Sequence, residues 1–293
     1  NNPLIVTPRE ANGYGIDAQW SDDFHHALHC ALTGERDGYY SDFDSLVDLG
    51  KSLESIFVYD GKYAGTRGRI HGRPVDGLAA TKFLGYLQNH DQIGNRAQGE
   101  RSSHLLDPNR LKIAAAIVLL SPFVPMLFQG EEFASSSPFQ YFTDHDDVDI
   151  GRAVTEGRRR EFAGFGWNPE DVPSPQDTDT FQRSKLKWNE VTEEPHRSIL
   201  EWHKQLIRLR HSNPTFTDGR LDQVKVDVDE ENRTLILHRG EFSVICNLAK
   251  QCFEPKIPNN AEILLATQPG IKIEAPGHLT IPAESLVVIR SYM

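Results

Sequence analysis

The fold class is decided by the stretch Phe83-Leu84-Gly85-Tyr86-Leu87-Gln88-Asn89-His90-Asp91. It begins as an apolar run and ends in polar side chains that can bind or catalyse. A buried strand with functional residues at its C-terminal end is typical of the parallel sheets of βαβ proteins, including (β/α)8 barrels. A second such run, residues 124–128, ends at Gln129-Gly130-Glu131-Glu132, and we expect a third strand near residues 14–17.

Helical patterns separate these strands. Apolar residues recur at helical spacing from Phe24 to Leu32, with Ser21 placed as the N-cap and Gly34 placed to end the helix. A second helix is predicted to begin near Ser45. Asp107-Pro108 predicts the start of a third, because proline is favoured at the first helical position.

Residues 213 and 214 mark a predicted domain boundary. Before it, the pattern is lost over residues 144–188, which we interpret as an irregular insertion, and a helix follows near residues 195–211. After it, apolar residues recur at every second position, beginning at Val224, and short predicted strands follow one another. The sequence therefore predicts an α/β domain over residues 1–213 and an all-β sandwich over residues 214–293.

Composition narrows the class of protein. The chain has 293 residues, with 31 Lys and Arg against 42 Asp and Glu, a net charge of −11 that disfavours binding to a nucleic-acid backbone. The longest apolar stretch, residues 113–128, is interrupted by Ser121 and two prolines, so we expect no membrane span. Three cysteines form no disulfide framework, and we expect a cytoplasmic protein with Cys246 and Cys252 as free buried thiols.

The Asn89-His90-Asp91 segment is the strongest candidate for chemistry. A histidine beside a carboxylate can hold neighbouring hydroxyls of a sugar ring, and the carboxylate can stabilise positive charge at the reacting carbon. The alternative is a polar turn that only caps the strand. The continuation to Arg96 favours the functional interpretation.

The start of the first helix offers a second candidate. His25 and His29 have the spacing of zinc ligands, but the glutamate that the zinc-protease motif requires after the first histidine is missing. We therefore predict no metal and favour sugar contacts for residues 22–26, the alternative being a solvated acidic helix start. Trp20 and Tyr141 could stack on sugars or pack internally. The run Arg158-Arg159-Arg160 is interpreted as a solvated surface.

Four blocks of sequence resemble one family. They are Gly15-Ile16-Asp17-Ala18-Gln19-Trp20 with residues 22–29, Leu32-Thr33-Gly34-Glu35 with Gly38-Tyr39-Tyr40, residues 89–101, and Gly130-Glu131-Glu132 with residues 138–144. In this order they resemble the maltooligosyltrehalose trehalohydrolases, which belong to the α-amylase superfamily of retaining glycoside hydrolases. The resemblance implies cleavage of the α-1,4 bond next to the terminal trehalose of maltooligosyltrehalose, without a cofactor.

The resemblance also assigns roles. Asp91 matches the carboxylate that stabilises the transition state. The substrate-binding residues that it implies are His90, Gln92, Asn95, Arg96, Trp20, Asp22, Asp23, Phe24, His25 and His26. The fold that it implies is the C-terminal part of a (β/α)8 barrel, about strands six to eight, followed by the β-sandwich.

The catalytic nucleophile and acid/base of that superfamily have no match here. Asn1-Asn2-Pro3 resembles the stretch that follows the acid/base, so the chain is expected to be the C-terminal half of the enzyme and to need the missing N-terminal half as its partner. Length agrees, because a complete barrel takes ~250 residues and only about three barrel strands fit. The alternatives are one half of a glycogen branching enzyme or a non-catalytic α-glucan-binding fragment. Neither nucleic acid nor a membrane is expected as a partner.

Overall fold

Parallel strands and helices alternate in the first part of the chain, and antiparallel strands follow. The computed structural model describes residues 1–43, 45–163 and 167–291. The strands are β1 (Gln19–Trp20), β2 (Asp60–Ala64), β3 (Arg69–Gly72), β4 (Phe83–Gly85), β5 (Val124–Pro125), β6 (Val224–Asp229), β7 (Thr234–Arg239), β8 (Phe242–Asn247), β9 (Ala261–Ala266), β10 (Ile273–Ala275), β11 (His278–Leu279) and β12 (Ser285–Ser291). The α-helices are α1 (Asp22–Thr33), α2 (Leu46–Ser55), α3 (His90–Gly94), α4 (Ser102–Leu105), α5 (Pro108–Leu120), α6 (Val148–Ala163), α7 (Thr178–Ser184) and α8 (His196–Ser212).

The parallel sheet is small. Its order is β1-β4-β5, with Trp20 paired to Leu84 and Leu84 paired to Val124. The two later strands were predicted in the right places, although they end before residues 88 and 128. The strand predicted near residues 14–17 is wrong, because that segment is irregular and the strand is β1. Gly15 has φ +68°, a left-handed conformation that strands do not use.

The helices α1, α2 and α5 confirm the predicted starts. Gly34 follows α1 with φ +77°, and the Ser45 side chain caps α2 by accepting from the Val47 amide. Ser21 stands at the predicted N-cap position but does not cap with its side chain. Its hydroxyl instead donates to the carbonyl of Ile56 at 2.9 Å, which ties the start of α1 to the end of α2.

The prediction of an irregular insertion over residues 144–188 is wrong for two segments, α6 and α7. Long polar side chains such as Arg and Glu favour helices by intrinsic propensity, but a largely exposed helix shows only a weak apolar stripe. The β2–β3 antiparallel hairpin is a second element that the pattern did not predict.

The C-terminal strands form a five-stranded antiparallel sheet in the order β6-β7-β8-β12-β9, beside a β10–β11 hairpin. Helix α2 packs on β6 where Gly50 leaves room, since a Cβ at that position would lie 2.8 Å from Val228 Cγ2. A cluster that includes Ile245, Ile281 and Val287 is buried on one side of the sheet. The all-β character is as predicted, while the sandwich arrangement stays a prediction.

The chain divides into two compact units. The first consists of residues 1–87, 108–126 and 201–293, and the second of residues 88–107 and 127–200. This division by contacts differs from the predicted division at residue 213, which stays a prediction. Within the described residues, no helix is long and apolar enough to cross a membrane.

The three cysteines are free thiols. Cys30 and Cys246 are buried, and burial raises the pKa of each thiol to about 12. The prediction that Cys252 is buried is wrong, because it lies on the surface just after the sheet strand β8 has ended.

Candidate active site

In the first unit, three side chains meet at the C-terminal ends of β1 and β4. Trp20 contacts Tyr86 edge to face, with ring centroids 5.6 Å apart, and the Tyr86 hydroxyl donates to the Asp22 carboxylate. Trp20 is 38% exposed and Asp22 is exposed as well. An open indole beside a carboxylate offers both a stacking surface and hydrogen-bond acceptors, which suits a sugar. Tyr86 could not be recognised as a site residue from the sequence, because it stands within the apolar run that predicts the strand.

The next residues of α1 face inward. Phe24 is fully buried against Phe123, with ring centroids 4.8 Å apart. Asp23 Oδ2 accepts from the amides of Val58 and Tyr59 at 2.8 and 2.7 Å, and from the side chain of Asn1. Desolvation outweighs these hydrogen bonds and raises the pKa of Asp23. Both side chains hold the fold together and have no surface for a ligand.

Histidines 25, 26 and 29 lie in an aromatic environment. His25 Nδ1 donates to the Leu87 carbonyl at 2.6 Å, and its Nε2 accepts from the Tyr40 hydroxyl at 3.0 Å. Burial lowers the pKa of His25 well below its usual range and lowers the pKa of His26 to about 3. His29 Nε2 lies 2.8 Å from a Glu35 carboxylate oxygen. Burial therefore keeps His25 and His26 neutral, and all three rings serve in packing. The sugar contacts predicted for residues 23–25 are not supported, because these side chains are buried.

In the second unit, a capping box fixes the start of α3. Asn89 Oδ1 accepts from the Asp91 amide at 2.8 Å, and Gln92 Oε1 accepts from the Asn89 amide at 2.8 Å. The two side chains satisfy backbone donors that a helix start leaves open. Gln92 therefore positions the first turn of α3 rather than presenting its amide oxygen to a ligand.

That first turn presents the two residues predicted to carry chemistry. His90 Nε2 lies 3.3 Å from Asp91 Oδ1, and the two side chains are 58% and 63% exposed. Further along, Asn95 is exposed at the end of α3, while Arg96 Nε points at Glu100 Oε2 at 3.8 Å. An imidazole and a carboxylate side by side on an open turn can bind hydroxyls and stabilise a cationic centre.

A buried acid lies under this turn. Glu131 is 7% exposed and bonds to the side chain of Gln88, which itself accepts from the Ser102 amide at 2.8 Å. Desolvation raises the pKa of Glu131 to about 8. Gln88 directly precedes Asn89, so this pair supports the entry to α3.

Arg101 is the second buried ionisable group here. It donates from Nε to the Ser137 carbonyl at 2.7 Å and from Nη1 to the Gln129 carbonyl at 2.6 Å, and its guanidinium lies 5.3 Å from the Phe128 ring centroid. Desolvation lowers the pKa of Arg101 to about 10.

Across the described residues, no group of three His, Cys, Asp or Glu side chains could hold a metal ion.

Comparison with known proteins finds relatives that match nearly the whole chain. No family model matches the chain. Over 292 residues it is 44% identical to the malto-oligosyltrehalose trehalohydrolase of Rhizobium sp. (strain M-11), a match that covers 99% of this chain and 49% of that protein. The protein of the same name from Mycobacterium tuberculosis is 42% identical, covering 99% of this chain and 50% of that protein. The chain thus resembles malto-oligosyltrehalose trehalohydrolases along nearly its whole length.

The similarity to these trehalohydrolases covers nearly all of this chain but only part of each relative. The chain spans about half the length of the curated relatives that match it throughout. The relative from Saccharolobus solfataricus is 49% identical over 210 residues, covering 72% of this chain and 35% of that protein.

Solved structures agree on the fold. A structure of a "Putative alpha Amylase" from Salmonella typhimurium has a TM-score of 0.84 and 34% identity, covering 99% of this chain and 50% of that one. A pullulanase from Klebsiella pneumoniae has a TM-score of 0.56 at 17% identity, covering 98% of this chain and 38% of that one, and it supports the fold alone. The chain thus shares the mixed α/β fold with a β-sheet domain found in proteins of the α-amylase type.

Proposed function

We propose that the protein containing this chain is a retaining glycoside hydrolase that cleaves the α-1,4 bond next to the terminal trehalose of maltooligosyltrehalose and releases trehalose. The observation that carries the proposal is the 42–44% identity, over 99% of the chain, to proteins named for this reaction. We further propose that the parallel strands are about strands six to eight of a (β/α)8 barrel.

Asp91 is the proposed transition-state stabiliser, with His90 as its neighbouring sugar ligand. Their exposure on a turn held by a capping box supports the assignment, since a preorganised carboxylate stabilises positive charge without reorganisation in the transition state. Trp20, Asp22, Asn95 and Arg96 are proposed substrate contacts. His26 and Gln92 are proposed to act by positioning.

Two further carboxylates are needed for a retaining mechanism, about 5–5.5 Å apart on either side of the scissile bond. Asp23 and Glu131 are buried and bonded to protein groups, which makes them poor candidates. We propose that the nucleophile and the acid/base lie in the part of the relatives that this chain does not span. The free cysteines favour a reducing compartment, and we propose a cytoplasmic location.

The experiment uses a joined protein, in which this chain replaces the matching 292 residues of the Rhizobium relative. Trehalose release from maltooligosyltrehalose is compared for the 293-residue chain alone, the joined protein, and the joined protein with Asp91→Asn. We expect no release from the chain alone and full release from the unaltered joined protein. Asp91→Asn should lower the turnover of the joined protein about 10²–10³-fold, because one stabilising charge is removed at constant shape. Release by the chain alone would refute the proposal that the nucleophile and the acid/base lie outside it.

The same assay separates the alternatives. A branching enzyme would transfer chains to new α-1,6 positions and release no free trehalose. A glucan-binding fragment would bind maltooligosaccharides without supporting either reaction in the joined protein. Turnover within a few-fold of the parent after Asp91→Asn would overturn the role of Asp91.

A further inference from the structure

Arg158 reaches from α6 to the helix that carries Asp91. Its Nη2 donates to the Gly94 carbonyl at 2.6 Å. Gly94 ends α3, where backbone carbonyls lack partners within the helix, and a cation is favoured at that end by the helix dipole. Gly94 is three residues beyond Asp91, which is about 4.5 Å along a helix axis. The arginine therefore anchors the far end of the turn whose near end the Asn89 capping box fixes.

The same guanidinium lies over an aromatic ring. Its central carbon is 4.6 Å from the centroid of Tyr141 and 5.1 Å from that of Phe162. Phe162 is buried, whereas Tyr141 remains 44% exposed. One arginine thus covers a face of an open tyrosine ring and holds the end of the Asp91 helix at the same time.

The backbone around Tyr141 is held on both sides. The Gln140 amide donates to Ser184 Oγ at 3.0 Å, and the Thr143 amide donates to the Pro175 carbonyl at 2.9 Å. Phe142 points elsewhere, with its ring 5.2 Å from Phe181. Tyr141 is therefore a fixed, partly open ring close to the proposed catalytic turn, which is what a pyranose stacking on an aromatic face requires.

We propose that Tyr141 binds a glucosyl ring of the α-glucan substrate and that Arg158 is its positioning residue, which also holds the Asp91 helix. The inference rests on the proposed function, and it assigns a role to a helix that the sequence pattern left without one. It also revises the interpretation of the arginine run, because Arg158 is engaged with protein groups while Arg160 is solvated, its side chain 75% exposed.

The two roles of Arg158 can be separated in the joined protein. Tyr141→Ala should raise the KM for maltooligosyltrehalose about three- to tenfold, as expected for loss of one aromatic contact, while kcat falls far less. Tyr141→Phe should raise KM less than Tyr141→Ala does. Arg158→Ala should raise KM and lower kcat together. Arg158→Lys keeps a donor for Gly94 but loses the planar stack, so kcat should recover while KM stays raised.

Arg160→Ala is the matched control, since it removes an arginine two residues away that pairs only weakly with Glu156 on its own helix. A KM within twofold of the parent for Tyr141→Ala, or an Arg158→Ala effect no larger than that of Arg160→Ala, overturns the proposal. If the unaltered joined protein releases no trehalose, the proposed function fails by itself. Calorimetric binding of maltoheptaose to the 293-residue chain then decides the inference: weaker binding by Tyr141→Ala supports it, and equal binding refutes it.

Discussion

Replacing Glu131 with glutamine should make the stability of the chain less sensitive to alkali. Burial raises the pKa of Glu131 from its ordinary 4.5 to about 8, so the folded chain holds this proton through a range in which the unfolded chain releases it. In that range the unfolded state binds fewer protons than the folded state, and stability falls as pH rises. The two pKa values differ by about 3.5, which corresponds to about 5 kcal/mol of folding stability. This stability should be lost between pH 4.5 and 8, with no further loss above pH 8.

Glutamine removes this pH-dependent loss of stability and has nearly the same shape as glutamate. Its carbonyl can accept from Gln88, as the acid does, and it never ionises. The free energy of unfolding is measured by urea titration from about pH 4.5 to 9 for Glu131→Gln and for the parent. The difference between them should shift by about 5 kcal/mol across this range, with the variant gaining relative to the parent as the pH rises. Glu170→Gln removes an exposed carboxylate and serves as the control. A difference between Glu131→Gln and the parent that stays constant with pH would show that Glu131 is ionised in the folded chain, and the reasoning would be refuted.

Two other substitutions test separate parts of the structure. His90→Ala should lower the turnover of the joined protein less than Asp91→Asn does, because it removes a hydrogen bond and not a charge, and the reverse order in steady-state kinetics would reject the assigned roles. Arg239→Met should cost about 3 kcal/mol or more in urea unfolding, since the buried guanidinium donates to the carbonyls of Leu120, Thr215 and Asp218 and each orphaned carbonyl costs about 1 kcal/mol or more. Arg220→Met, on the surface, should cost under about 0.5 kcal/mol, and equal costs for the two arginines would contradict this account.

Elements with strong local signals could be predicted from the sequence. Helix α1 has a regular apolar stripe and a glycine at its end, and α5 has a proline at its first position. Strand β6 alternates because only one of its faces is buried, whereas the central strands β8 and β12 are apolar because both of their faces are buried. The polar helix α6 lacks such a stripe, and its anchor, Arg158, bonds to a carbonyl that lies 64 positions away in sequence.

The site could be predicted only in part, for a related reason. His90 and Asp91 are exposed on the turn that the motif indicated. Spacing alone does not show on which side of a helix a histidine lies, and His25 continues the buried stripe begun by Phe24. Asp23 was predicted to contact sugar, but its carboxylate instead accepts hydrogen bonds from amides 35 and 36 residues away. No local sequence pattern reveals partners at that distance.

The order of strands in the C-terminal sheet has a consequence for synthesis of the chain on the ribosome. Strand β12 lies between β8 and β9, although it is made after both. Until residues 285–291 emerge, β8 and β9 each keep an unpaired edge rich in apolar side chains, which is the kind of edge that pairs with other chains. Translation that stalls or stops before residue 285 should therefore yield aggregating nascent chains, so chaperone contact is expected to last until the final strand is inserted.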